Sequence, residues 1–274
     1  MKSSDRNSTK SNDCPPRVSS WLQNGFHRFL ERYLAKNFDA VGIEASSLEL
    51  LEQIRAGDPL IIYANHPSWW DPMIAHLLNR RLFPDRQFYA PIDAQALQRY
   101  QVLKRLGFYG VELGSMSGVR TFIQTSDRIA MAGNTAIWIT PEGQFTDPRD
   151  HDGGWQPGLA HLCNRLDRGH VVPIALEYCF WDEPRPVCLT SVGPPISITS
   201  LRGHSKETRN KQLIDQLRST QNKLRSLVVP RNPQPFKMLL SGRSGPSGLY
   251  GRLRKLKSIL GGRSVDQRHG GPLQ

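Results

Sequence analysis

The stretch "YANHPSWWDP", residues 63–72, places His66 five positions before Asp71, with a proline and two tryptophans among the residues between them. An imidazole and a carboxylate at that spacing can meet when the aspartate opens a helix and turns back onto one ring nitrogen. The hydrogen bond so formed selects a tautomer and raises the basicity of the other nitrogen, which suits a general base. A second carboxylate, Glu142, lies in "WITPEGQFTD". Taken singly, such a histidine is a core residue and such a glutamate a turn residue. Their setting argues for chemistry. His66 follows the buried-strand pattern "PLIIYA", and Glu142 follows "TAIWIT". In open α/β sheets, ligands bind beyond the carboxyl ends of the strands.

The elements that must position these residues alternate along the chain. Strand patterns in "LIIYA", "QFYA", "YGVEL", "TAIWIT", "VVPIALEY" and "VCLTSVG" are separated by helical patterns in "DPMIAHLLNR", "AQALQRYQVLKRLGF", "SGVRTFIQTSDRIAMA" and "GLAHLCNRLDR". That alternation predicts a single α/β domain with a mixed, mostly parallel sheet flanked by helices. Residues 1–17 read as disordered, and residues 19–37 as an amphipathic helix capped by Ser19 or Ser20. The core carrying the motifs spans 38–200, a C-terminal helix covers 205–228, and the domain as a whole runs over 18–230. The Pro-, Gly- and Ser-rich composition of 231–274 reads as a flexible basic linker and tail. Within it "GLYGRLRKLKSILGG" places Leu249, Leu253, Leu256 and Leu260 on one helical stripe among basic residues.

The chain carries a formal charge of +12, and it is unevenly distributed. Residues 1–37 are net +4, residues 38–230 are net zero, and residues 231–274 are net +8. A neutral middle argues against a nucleic-acid-binding core, while basic flanks suit an anionic membrane surface or an acidic carrier. The four cysteines show no metal-ligand spacing, which predicts a reduced compartment and no zinc site. No apolar run reaches the roughly 18 residues needed to cross a bilayer, and the start of the chain lacks a signal-peptide pattern. The expectation is a cytoplasmic protein, peripherally associated with the inner face of the membrane.

"NHPSWWD" resembles the NHxxxxD motif of the PlsC-type glycerolipid acyltransferases. "TPEG" resembles that family's FPEG block, and "VVPIALEY" its downstream VPxxI-type strand. The resemblance covers roughly residues 38–200. It implies that His66 takes the proton of an acceptor hydroxyl, which attacks the thioester of acyl-CoA or acyl-carrier-protein, while Asp71 orients the imidazole. It implies no cofactor beyond that acyl co-substrate, and no covalent enzyme intermediate. Glu142 becomes a site organiser or acceptor-binding residue, and the turn at Gly143 a source of backbone donors for the oxyanion.

The sequence also departs from the family pattern. Phe145 stands where the FPEGTR arginine would be, and Leu113 where a second arginine is usual. A phosphate monoester needs cationic, preferably bidentate partners. Arg120, Arg149 and the pair Lys104 and Arg105 are candidate substitutes. Trp69, Trp70 and Phe145 give the mouth an apolar, aromatic character. The expectation is therefore an acyltransferase resembling 1-acylglycerol-3-phosphate O-acyltransferases in reaction, with a lipid acceptor whose head group is larger or neutral. The alternatives are a non-catalytic membrane-associated lipid-binding relative and an acyl-thioesterase.

Overall fold

The computed structural model describes residues 14–242. The chain opens with helix α1 (Ser20–Asn37), and Ser19 accepts the Leu22 N–H at 3.4 Å as its cap. Strand β1 (Ala40–Glu44) and a 3-10 helix (Ala45–Gln53) follow. Next come β2 (Leu60–Ala64), α2 (Asp71–Leu82), β3 (Gln87–Asp93), α3 (Ala94–Arg99), β4 (Phe108–Val111), α4 (Met116–Met131), β5 (Thr135–Ile139) and α5 (Gly158–Arg165). The remainder is β6 (His170–Cys179), β7 (Val187–Val192), β8 (Ile196–Ser197), α6 (Ile198–Leu201), α7 (Lys206–Val228) and β9 (Phe236–Ser241).

Among the described residues these strands form one sheet in the order β4-β3-β5-β2-β6-β7-β1-β9, with β8 beside β6. The run from β4 to β6 is parallel, so the ends of β2 and β5, just before His66 and Glu142, lie side by side on one rim. β7 turns back antiparallel to β6, β1 runs parallel to β7, and β9 closes that edge antiparallel to β1. The α/β class and the mostly parallel sheet match the sequence pattern.

Strand alternation divides the core into two layers. Leu60, Ile62 and Ala64 of β2 face Leu30 and Leu34 of α1 and Ile74 and Leu78 of α2. Ile61 and Tyr63 face Phe122 and Ile129 of α4, Leu159 and Leu162 of α5, and Leu217 of α7. Leu30 and Leu34 are fully buried, and each such side chain contributes about 1.5–3 kcal/mol to docking α1 on the domain.

Several boundaries differ from the sequence reading. The single helix expected over "AQALQRYQVLKRLGF" divides at Tyr100 into α3 and a 3-10 turn, Gln101–Leu106. Gly107 ends that turn at φ +104°, where a Cβ would meet the Phe88 carbonyl oxygen. The segment read as a linker from 231 onward supplies β9. Its side chains pack close because Gly42 opposite has none: a Cβ there would come 3.1 Å from Met238. Residues 14–17, expected to be disordered, form no helix or strand but are tied to the domain, where the Pro16 carbonyl accepts the Tyr89 hydroxyl at 3.0 Å. The basic amphipathic stripe at 249–260 and residues 1–13 lie outside the described residues.

One buried group has a consequence for stability. His76 on α2 packs 3.7 Å from the Phe88 ring, between Phe26 and Phe108, and neither ring nitrogen has a hydrogen-bond partner among the described residues. Burial, with a smaller contribution from nearby His27, lowers its pKa from 6.5 to about 3. The unfolded chain therefore binds a proton that the folded chain refuses, and stability falls as pH drops below about 6.5. Urea titrations of the wild type and His76→Leu should diverge in slope: between pH 7 and pH 5 the wild type should lose about 2 kcal/mol more than the variant. Parallel pH dependences would show that His76 titrates normally.

Candidate active site

The site begins where β2 ends. Backbone pairing of β2 with β6 stops at Ala64 and Ile174. The Asn65 side chain extends it by one step, donating to the Leu176 carbonyl at 2.9 Å and accepting the Leu176 N–H at 2.8 Å. His66 follows with both backbone groups engaged. Its N–H donates to Glu142 Oε2 at 2.7 Å, and its carbonyl accepts from the Thr146 N–H at 3.0 Å. The chain then turns through Pro67 and Ser68 into α2, with the Asp71 N–H donating to the Ser68 carbonyl.

Asp71 is the first residue of α2, where the positive end of the helix dipole favours a carboxylate. Its Oδ2 lies 2.7 Å from His66 Nδ1 and accepts the Ser68 N–H at 3.0 Å. Its Oδ1 accepts the Tyr178 hydroxyl at 2.6 Å. Asp71 is buried, whereas the His66 ring is partly open to solvent. The geometry therefore brings together the histidine and aspartate read from the sequence.

Glu142 lies just past the end of β5 and is only 2% exposed. Burial raises its carboxyl pKa above the ordinary 4.5, opposed by the His66 N–H and by the Arg218 guanidinium. Arg218 Nη1 donates to Glu142 Oε1 at 3.0 Å and to Gln221 Oε1 at 2.9 Å, and Gln221 donates to the Pro148 carbonyl at 3.2 Å. Helix α7 thereby grips the loop after β5, and that loop grips the backbone of His66.

The other expected residues are distributed less favourably. Gly143 takes φ +70°, but its N–H donates to the Thr140 carbonyl at 3.1 Å, so this amide is committed to the turn and is not an oxyanion donor here. Arg149 forks onto its neighbour Asp147, with Nε at 2.8 Å and Nη2 at 2.7 Å, and holds that carboxyl far below its usual range. Arg120 lies on α4, in a groove with Met116, Ile123 and His161, and α4 packs on the face of the sheet opposite α2. Lys104 and Arg105 sit in the 3-10 turn that supports α1, where the Arg105 carbonyl accepts the Ser19 N–H. Trp70 turns inward onto Phe38, at 4.9 Å, and Tyr33. Phe145 is 62% exposed with its ring centroid 4.6 Å from that of His66, and Trp69 is 56% exposed.

Sequence reasoning missed Tyr178 and Arg218. Strand alternation from Val172 through Ile174 and Leu176 puts Tyr178 on the same sheet face as α2, which was a usable signal. A charge beside the buried stripe Leu213, Leu217 and Leu224 was a signal for Arg218, although its partner lies 76 residues away.

Residues 46–177 match the acyltransferase family model. The chain carries a PlsC-type acyltransferase domain. The matched residues include His66, Asp71 and Glu142, and they stop one residue before Tyr178. No curated protein matches the sequence. Among solved structures, the pilus retraction motor PilT with bound ADP is 14% identical, with 70% of this chain and 62% of that chain covered. Its TM-score of 0.36 is too low to bear on fold or function. No helix among the described residues is long and apolar enough to cross a membrane.

The acyltransferase domain thus keeps a buried ion pair directly beneath its histidine. Removing one partner strands the other charge and costs about 3–5 kcal/mol, whereas removing both costs less. In urea unfolding, Arg218→Met should be strongly destabilising, and Arg218→Met combined with Glu142→Gln should be less so than the sum of the two single variants. Strict additivity would show that the pair is not coupled.

Proposed function

We propose that this protein transfers an acyl group from the thioester of acyl-CoA or acyl-carrier-protein to a hydroxyl of a lipid acceptor, with His66 as the general base. The observation that carries the reading is the 2.7 Å contact between His66 Nδ1 and Asp71 Oδ2, inside the matched domain and at the partly open rim of the sheet. With Asp71 ionised, Nδ1 holds the proton and Nε2 presents its lone pair to the acceptor. The acceptor hydroxyl gives its proton to Nε2 as its oxygen attacks the thioester carbonyl. Collapse of the tetrahedral intermediate forms the ester and expels a thiolate, which takes the proton back from the imidazolium to leave as the thiol. Asp71 stabilises the imidazolium between those two transfers.

The surroundings of His66 favour an acceptor with a neutral or amine head group. A phosphate monoester would need a free guanidinium. Arg149 is occupied by Asp147, Arg218 by Glu142, and Arg120 lies on the other face of the sheet. The side chain over the imidazole is Phe145. Exposed Phe145 beside the histidine and exposed Trp69 in the turn that follows it suit an acyl chain entering from a lipid surface, and the basic flanks of the sequence suit an anionic one.

Radiolabelled acyl-thioester offered with a panel of lysolipids tests this directly. His66→Ala should abolish transfer in a folded protein, and Asp71→Asn should slow it by several orders of magnitude. Neutral or amine-headed acceptors should outperform phosphate-headed ones. Full activity in folded His66→Ala would overturn the assignment, and thiol release independent of any acceptor would indicate a thioesterase instead.

Surface attachment calls for a different measurement. Sedimentation with anionic liposomes should weaken as salt is raised, since such attraction is screened over about 10 Å at 0.1 M ionic strength. Truncation after Gly242, which removes seven basic residues and one acidic residue while keeping β9, should weaken it further. Binding that is indifferent to both would assign no role to the basic tail.

A further inference from the structure

We propose that Tyr178 is a positioning residue of the reaction, holding the Asp71 carboxylate and setting how strongly it supports the His66 imidazolium; this rests on His66 acting as the base. Asp71 divides its two oxygens between distinct tasks. Oδ2 faces the imidazole at 2.7 Å and also accepts the Ser68 N–H, while Oδ1 has its contact with the Tyr178 hydroxyl at 2.6 Å. A short hydrogen bond from a phenol to a buried carboxylate is charge-assisted, and it draws electron density away from the oxygen that faces the histidine.

The fold supplies Tyr178 by length alone. β6 extends to Cys179, beyond Ile174 where pairing with β2 ends, so its last residues project over the first turn of α2. There Tyr178 pairs across the strands with Cys188 of β7, packs at 5.9 Å from the Phe38 ring, and points its hydroxyl at Asp71. Burial and the adjoining Cys188 and Asp71 push the phenol well above its ordinary pKa of 10, so it remains a neutral donor throughout the working range. The charged groups around the dyad are few. Glu142 lies beneath the His66 backbone and is paired with Arg218, Asp71 faces the ring, and the Cys188 thiol is pushed far above its ordinary value by burial. Among the described residues, Tyr178 is the hydrogen-bond donor to Asp71 Oδ1, which makes it the group that tunes that carboxylate.

Tyr178→Phe keeps the ring and removes the donor. Relieved of one hydrogen bond, the carboxylate attracts the imidazolium proton more strongly. The acid limb of the kcat/KM profile should therefore move to higher pH. The rate constant kcat should fall roughly tenfold, with KM for both substrates unchanged, because a carboxylate released from the Tyr178 hydroxyl is free to turn out of line with His66 Nδ1, and lost alignment of that kind slows the chemical step. Site-specific replacement of Tyr178 by difluorotyrosine strengthens the donor at nearly constant size, and it should move the acid limb in the opposite direction. That second variant keeps the test decisive if Tyr178→Phe folds poorly. An acid limb that stays in place in both variants, or a loss confined to KM, overturns the proposal. His66→Ala measured alongside separates the two claims: activity in that variant rejects the base itself, whereas an inactive His66→Ala with unmoved pH profiles rejects Tyr178 alone.

Discussion

The buried carboxylate of Glu142 holds the site together, because its two oxygens bind two parts of the molecule that share no secondary structure. One oxygen takes the backbone N–H of His66 and the other takes the guanidinium of Arg218. A charge this deep is tolerated only with partners on both sides. Satisfying it draws the end of β2, the loop after β5 and helix α7 to one point. Buried ion pairs seldom add much net stability against an apolar alternative. What this one contributes is position: the backbone of His66 is fixed before its side chain does anything.

Around that point, the histidine is supported from several directions by different kinds of interaction. Asn65 mimics a strand residue and carries β2 one step further along β6. The Thr146 N–H holds the His66 carbonyl, so the loop after β5 follows the turn after β2. Asp71 gains from the N-terminus of α2 and from the hydroxyl of Tyr178. The supports come from β6, the loop after β5 and α2, and all of them converge on the rim where the parallel strands end. The parallel order of β5, β2 and β6 is what places those ends together.

Charge is arranged so that little of it is free near the imidazole. Arg149 and Arg218 are each satisfied by an acid close by, and Arg120 belongs to the opposite layer. The aromatic ring at the imidazole is that of the exposed Phe145, and Trp69 in the turn before α2 is exposed as well. Under the proposed reaction, a base and its orienting acid in these surroundings would be better matched to a lipid than to a phosphate.

Much of this was legible in the sequence, and for a local reason. The alternation of strands and helices, the Ser19 cap and the meeting of His66 with Asp71 depend on residues within a few turns of each other. The phosphate-site arginines were legible as missing from their expected places. What the sequence could not decide were partnerships over long separations. Phe236–Ser241 looked like linker by composition, yet it adds a strand because Gly42 leaves room for it. Arg149 looked available but is spent on Asp147, and the Gly143 amide is spent on Thr140. Tyr178 and Arg218 reach their acids across 107 and 76 residues. Local pattern determined which groups could do the chemistry. Only the packing of α7 and the overreach of β6 decided what holds those groups in place, because buried hydrogen-bonding groups take their partners from whatever the fold brings near.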